Sequence, residues 1–354
     1  MKWLKNLFRE IFIEALSGMA TGLFATLIIG TIIQQIGAFI PGTIGNVIYI
    51  IGKVAASVTG VGIGVGVAAR LKASPLVVVS AATTGMVGAF ASKILAGGVL
   101  VNGVVSYSGP GEPLGAFIAA LAGVYMGRLI SGKTKVDILV TPLLSIGVGS
   151  TVGLLLGPPI SKFMAFLGEL INVATQQKPF LMGILVSVLM GMILTLPISS
   201  AALGIILNLN GIAAGAATVG CCANMIGFAV ASYRENKMNG LLAQGLGTSM
   251  LQISNIVKKP IIWFPAILTS AILGPVSTML FKMTNNATGS GMGTAGLVGQ
   301  ITTYQTMVAS EDGVVVLIKI LVMHFVLPAA LTLAFSGFMR KKGWIKNGDM
   351  KLSV

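Results

Sequence analysis

The chain has 354 residues, of which 55% are apolar, only 9% are charged and 47 are glycine. A water-facing globular surface takes roughly a quarter of charged residues, so this composition excludes an ordinary soluble domain, a coiled coil or a disulfide scaffold. The formal charge of +14 could suggest a nucleic-acid partner. The basic residues, however, stand at the ends of apolar runs, where the positive-inside rule places cytoplasmic flanks beside anionic lipid. The composition predicts an all-α, polytopic integral membrane protein, with no nucleic acid among its partners.

At ~20 residues per crossing, the length supports about ten transmembrane helices. The N-terminal apolar stretch from Ile11 to Ile40 is too long for a signal-peptide core and reads as a retained first helix. Apolar runs bounded by glycine, proline or charge place spans near 12–39, 44–68, 74–96, 114–131, 136–157, 180–208, 211–232, 239–257, 260–282 and 314–338. With the N-terminus inside, this even count returns the basic tail after Phe338 to the cytoplasm, together with Arg70, Lys72, Arg128 to Lys135, Lys258 and Lys259. Arg234 and Lys237 would then lie outside. The segment 239–257, with Gln244, Ser249, Gln252, Ser254 and Asn255, is the least apolar of the set. If it re-enters instead of crossing, those two cations move inside.

Three stretches do not read as simple spans. Gly97 to Pro113 is glycine-rich around a GPGEP core, Ser161 to Lys178 has the spacing of an interfacial amphipathic helix, and Thr284 to Asp312 mixes glycines with amides and hydroxyls. Irregular backbone at membrane depth persists only where protein or a water-filled cavity surrounds it. The first and third therefore read as two re-entrant hairpins lining a cavity from the external side. Small residues at four-residue spacing, Gly18/Gly22, Gly60/Gly64, Gly62/Gly66, Gly149/Gly153 and Gly211/Gly215, mark faces where helix backbones can approach closely.

The candidate solute-binding residues follow from the cost of polar groups in lipid. Glu112 is held in a tight Gly-Pro-Gly-Glu-Pro turn, where a carboxylate can accept hydrogen bonds from solute hydroxyls or carry a proton. His324, the single histidine, precedes Pro328 by four residues; it is either a helix-packing group beside a freed carbonyl or a cavity-facing ligand. Asn208, Asn210, Asn224, Asn285, Asn286 and Gln300 supply neutral donors and acceptors suited to an uncharged, polyhydroxylated solute; an anionic one would favour an arginine cluster, which is absent. Each amide alone can equally be helix-packing glue. Lys53, Lys93 and Lys319 read as snorkelling residues, and Cys221 and Cys222 as buried small hydrophobes. No metal-ligand spacing, Walker motif or nucleophile–base pair appears, so no cofactor or metal is expected and the chain does not read as an enzyme.

The GPGEP hairpin, the segment LTLPISSAALGIILNLNG and the stretch NNATGSGMGTAGLVGQ together resemble the membrane-embedded IIC component of sugar phosphotransferase systems, in particular the perfringolysin O regulator-like branch. The resemblance implies one EIIC-like transmembrane domain over 1–354 with no fused IIA or IIB domain. It further implies a homodimer in the bacterial plasma (inner) membrane, N- and C-termini cytoplasmic, with IIA- and IIB-type proteins as separate partners. In the sugar members a GITEP-type turn supplies a glutamate to the sugar. GPGEP is similar, with Pro110 and Gly111 in place of isoleucine and threonine, which carries that role to Glu112. The expected function is a permease for a small polar, uncharged or sugar-like solute working by alternating access; the alternative is a membrane-embedded ligand sensor that does not transport.

Overall fold

A computed structural model describes residues 2–101, 103–107 and 109–352. The side chains of Lys2 and Lys5, and residues 102 and 108 of the expected 97–113 hairpin, lie outside the described residues. The chain folds as two compact units, Met1–Phe163 and Met164–Ser353, with the helix Asp137–Thr175 passing from one to the other. Six helices are long and apolar enough to cross a membrane: Asn6–Phe39, Pro113–Ile130, Asp137–Thr175, Gly211–Ala231, Pro260–Phe281 and Gly313–Lys341. The pair Gly42–Ser57 and Thr59–Arg70, bent by 53°, makes a seventh if taken as one span. The polytopic all-α architecture is as the composition dictates, but several expected spans are broken or merged.

In the first unit, glycine sets how closely helices pack. A Cβ on Gly18 would lie 2.4 Å from the Gly66 carbonyl oxygen, and one on Gly22 would lie 2.0 Å from that of Gly62. Two of the four-residue glycine spacings thus lock into each other. On the opposite face of the same helix, Gly64 meets the Ala81 carbonyl and Gly60 that of Gly85, at 2.0 and 2.8 Å from the same added atom. Charged residues gather at one end of this unit, where Arg70 pairs with Glu14 at 2.9 Å and Arg128 with Glu10 at 3.1 Å.

The 97–113 stretch is not one irregular hairpin. Leu100–Val101 pairs antiparallel with Val104–Val105, and Leu100, Val104 and Val105 are exposed. The flanks of this pair are packed inward: Val99 is buried, the Tyr107 ring lies 4.8 Å from that of Phe90, and the Glu112 amide donates to the Ala89 carbonyl at 2.8 Å. The separate interfacial helix expected over 161–178 is likewise absent as such; its residues up to Thr175 continue the helix that starts at Asp137. Pro158 and Pro159 sit inside that helix, and adjacent prolines remove two backbone donors without ending it.

The second unit departs further from regular spans. The segment expected as one crossing over 180–208 runs out and back. Helix Pro179–Thr195 stops before Pro197, Ser199 caps a short helix Ser200–Ile206, and the two ends of the segment lie beside Thr278 and Asn285. At one end the Thr278 hydroxyl donates to the Pro179 carbonyl at 2.8 Å, and at the other Gly211 and Asn285 exchange backbone hydrogen bonds. The segment 239–257 is also broken, into Tyr233–Leu242, a widened turn Ala243–Gly247, a tight turn Ser249–Gln252 and Ile253–Lys258. Its beginning and its end meet the same C-terminal residues: Glu235 binds Arg340 and Gly348, while Lys259 binds Asp349. It therefore enters and leaves at one end of the unit, where the residues after Arg340 lie.

The 284–312 stretch is a helix–break–helix hairpin, with Ala287–Ser290 and Val298–Met307 joined through a glycine-rich turn that is largely buried. Asp312 then caps Gly313–Leu321 by accepting from the Val314 and Val315 amides. Lys319 does not snorkel; its ammonium pairs with Glu311 at 2.6 Å and donates to the Phe281 carbonyl at 3.0 Å. Pro328 cannot donate to the His324 carbonyl one turn earlier, and the helix widens over Val322–Val326 where that bond is missing.

Candidate solute site

Within the second unit the broken segments 243–252 and 284–303 touch at their tips. The Thr294 hydroxyl donates to the Gly245 carbonyl and, at 3.5 Å, faces the Met225 sulfur. A Cβ on Gly293, whose φ is +54°, would lie 2.8 Å from the Cys221 Cβ, so only glycine brings the turn this close to the helix Gly211–Ala231. Two interruptions in the backbone thus converge on the middle of one buried helix.

The base of the hairpin is fixed by amides. Asn285 donates to the Thr218 hydroxyl at 2.8 Å and to the Gly299 carbonyl at 3.2 Å, and its own side-chain oxygen accepts from the Asn286 amide. Asn286 in turn caps the following helix through the Gly289 amide. Asn224 is fully buried and fully engaged. Its oxygen accepts from the Trp263 indole at 2.9 Å and the Thr195 hydroxyl at 3.3 Å, while its nitrogen donates to the Gly220 carbonyl and the Ser270 hydroxyl. Asn208 and Asn210 are exposed and bond each other, with Asn208 in a left-handed turn at φ +48°.

Gln300 and His324 differ from these. The Gln300 amide nitrogen lies 3.1 Å from His324 Nδ1 and 3.4 Å from the Cys222 sulfur. With the amide nitrogen facing the ring, Nδ1 accepts and Nε2 carries the proton. Three buried polar atoms nearby have no hydrogen-bond partner among the described residues: Gln300 Oε1, His324 Nε2 and Thr303 Oγ1, with Thr303 one helical turn from Gln300. An unpaired buried polar group costs roughly 1–3 kcal/mol. In a native protein such groups are met by ordered water or by a bound polar molecule. The set offers an acceptor, a donor and a hydroxyl, which is the complement of neighbouring hydroxyl groups on a neutral solute.

In the first unit, Glu112 is half-buried at the start of the helix Pro113–Ile130, and its Oε1 also has no partner among the described residues. Gly109 and Gly111, at φ +82° and +74°, give the turn that aims it. The structure thus separates the sequence candidates. Gln300 and His324 form one group. Asn285 and Asn286 frame the hairpin beneath it, Asn224 is consumed in packing, Asn208 and Asn210 pair at an exposed turn, and Glu112 stands in the other unit. The sequence marks Thr303 among the hydroxyls of this hairpin but gives no such signal for Thr294, although it belongs to the same run. Among the described residues, no group of three or more histidine, cysteine, aspartate or glutamate side chains could hold a metal ion.

The family described as "Phosphotransferase system, EIIC" matches residues 13–352, nearly the whole chain. No curated protein matches it.

Proposed function

Because this chain belongs to the phosphotransferase-system EIIC family, we propose that its second unit carries an uncharged, polyhydroxylated solute across the bacterial plasma membrane by alternating access. Membership makes it a multi-pass membrane permease component for sugar-type substrates. The observation that carries the finer reading is the cluster of unmatched polar atoms on Gln300, His324 and Thr303, at a site built from the hairpin and the Pro328-interrupted helix. Broken elements at membrane depth are where transporters place their binding groups, because the interrupted backbone needs polar company that a solute pathway supplies.

In this reading Gln300 Oε1 accepts from one solute hydroxyl and His324 Nε2–H donates to the next. Thr303 adapts to either, and Asn285 and Asn286 hold the hairpin that presents them. Glu112 is a separate candidate in the first unit, a carboxylate able to accept from a hydroxyl or take up a proton. The protein works as a homodimer with cytoplasmic termini and draws on separate IIA- and IIB-type proteins for phosphorylation of the solute.

The test is exchange of radiolabelled glucose, galactose and mannitol across proteoliposomes holding the full chain, with Gln300→Leu as control. Exchange of at least one, lost in Gln300→Leu while the variant stays folded, supports the assignment. Equal exchange by the variant removes the site, and exchange or binding of none of these neutral polyols overturns the solute class.

A further inference from the structure

Residues 345–352 form no helix or strand, yet their main chain is bound in detail. Gly348 donates its amide to Glu235 Oε1 at 3.1 Å. The Met350 carbonyl accepts from Asn236 at 2.8 Å and from Gln252 at 2.9 Å, and the Lys351 carbonyl accepts from Asn255 at 3.0 Å. Asn236 turns its oxygen to the Leu352 amide, at 2.8 Å, and so brackets this stretch from both sides. The Met350 side chain is fully buried beside Ile256 and Trp263, and Asp349 pairs with Lys259 at 2.6 Å. The segment is turned, with the Asp349 amide donating to the Lys346 carbonyl and the Lys351 amide to that of Gly348. Four side chains reading carbonyls and amides, one apolar anchor and one ion pair at the edge hold this turned peptide in place.

The contact is also wired inward. Gln252, which holds the Met350 carbonyl, donates from the same nitrogen to Gln244 at 2.8 Å, and its oxygen accepts from Asn255 at 2.8 Å. Gln244 is anchored to the Ser232 hydroxyl at 2.9 Å, and it belongs to the widened turn whose Gly245 carbonyl receives Thr294 from the hairpin tip. Hydrogen bonds therefore run from residue 350 through the 243–252 segment to the hairpin. Gly343, at φ +73°, precedes the bound stretch, and Gly348, at φ +95°, turns the chain within it. A cavity of about 450 Å³ remains between Asn255, Lys258 and Lys259 on one side and Gly348 to Leu352 on the other, so the seat is not sealed.

We propose that Glu235, Asn236, Gln252, Asn255 and Lys259 build a peptide-binding groove occupied by the chain's own segment 346–352, and that its occupancy holds the 243–252 segment against the hairpin tip. When the segment leaves, Gln252 and Asn255 lose their main-chain partners and the 243–252 turns are freed. A second peptide of the same chemistry, an apolar anchor preceded by an aspartate, fits the vacated groove. The inference rests on the proposed solute site only in naming what the groove governs, and its test does not require a solute.

The experiment compares the full chain with Met350→Glu, which places a charge in the anchor pocket, and with Asp349→Lys, which sets a cation against Lys259 while leaving every buried side chain in place. Amide hydrogen exchange is followed over 243–252 and 290–297, with Gly211–Ala231 as an internal control, and binding of fluorescent IKNGDMKL is followed by anisotropy. Both variants should exchange roughly tenfold faster in those two segments, the effect of losing one or two net hydrogen bonds, with the control helix unchanged. They should also bind the added peptide, which the parent chain and a peptide with glutamate for methionine do not. If Met350→Glu also loosens the control helix, Asp349→Lys decides. Faster exchange confined to 346–352, or no peptide binding by Asp349→Lys, overturns the proposal.

Discussion

The two units bury polarity in different ways. In Met1–Phe163 the buried polar residues are hydroxyls, Thr59, Ser80, Thr84, Thr141 and Ser145; those of Ser80 and Thr84 bond carbonyls of their own helix, and that of Thr59 bonds the Ala56 carbonyl at the end of the preceding one. Such bonds cost the helix little and commit it to no distant partner. In Met164–Ser353 the buried polar residues include amides and an imidazole, Asn224, Gln244, Gln252, Asn255, Asn285, Gln300 and His324, which bond across elements. An amide carries donors and acceptors at fixed angles, so each one specifies its neighbours or leaves an atom unmatched. Glycine contacts hold both units, since a Cβ on Gly220 would lie 1.9 Å from the Ser187 carbonyl oxygen and one on Gly274 2.0 Å from that of Gly183. What sets the second unit apart is its network of buried amides.

That contrast can be broken from the polar side first. Gln300→Leu should abolish solute exchange while leaving the apparent melting temperature little changed, because removing the unmatched Oε1 offsets the loss of the amide hydrogen bond to His324 Nδ1. A variant that transports normally, or that unfolds, would make Gln300 a packing residue. Asn224→Ala should do the opposite. It strands the Trp263 indole without its partner, costing about 1–3 kcal/mol in a melting assay, and leaves the solute KM unchanged.

In the first unit, Gly22→Val drives a side chain into the Gly62 carbonyl and should cost about 1–3 kcal/mol of stability, with no change in the exchange properties of 290–303. The smallest effect concerns the tail. Partial burial pushes the Asp349 carboxyl upward, but hydrogen bonds from Lys259 and the Lys346 amide, with the charges of Lys259 and Arg340, outweigh it and hold the group below its ordinary 3.8. A carboxyl lowered in the folded state stabilises above the unfolded value and loses that contribution as pH falls through the folded one. Protection of 346–352 in hydrogen exchange should thus be level from neutral pH down to about 4 and decline only below it. The size should be that of an edge ion pair, about 0.5 kcal/mol.

Much of the fold was legible because its signals are local. The Gly18/Gly22 and Gly62/Gly66 spacings pointed to close helix contact, and the structure supplied only which face meets which. The amides of 284–303 and of 244–255 marked both broken segments, since such residues cannot face lipid cheaply. Legibility ended at pairings between distant residues. Nothing local links Thr294 to Gly245, and a run as apolar as 180–208 conceals that Pro197 and Ser199 turn the chain back. The Val-flanked Asn102–Gly103 pair is a hairpin signal that the glycine content of 97–113 obscured. The tail read as a basic flank because its lysines dominate; Ile345 and Met350, both buried, were the apolar anchors to notice.

The central claim is that the Gln300–His324–Thr303 cluster lies on a path open in turn to each side of the membrane. It is tested most directly by Thr303→Cys, in a background with Cys221 and Cys222 replaced by alanine, probed in sealed vesicles with a membrane-impermeant thiol reagent. The account predicts labelling from either face and its suppression by a transported polyol. Labelling from neither face, or from one face under every condition, would contradict it.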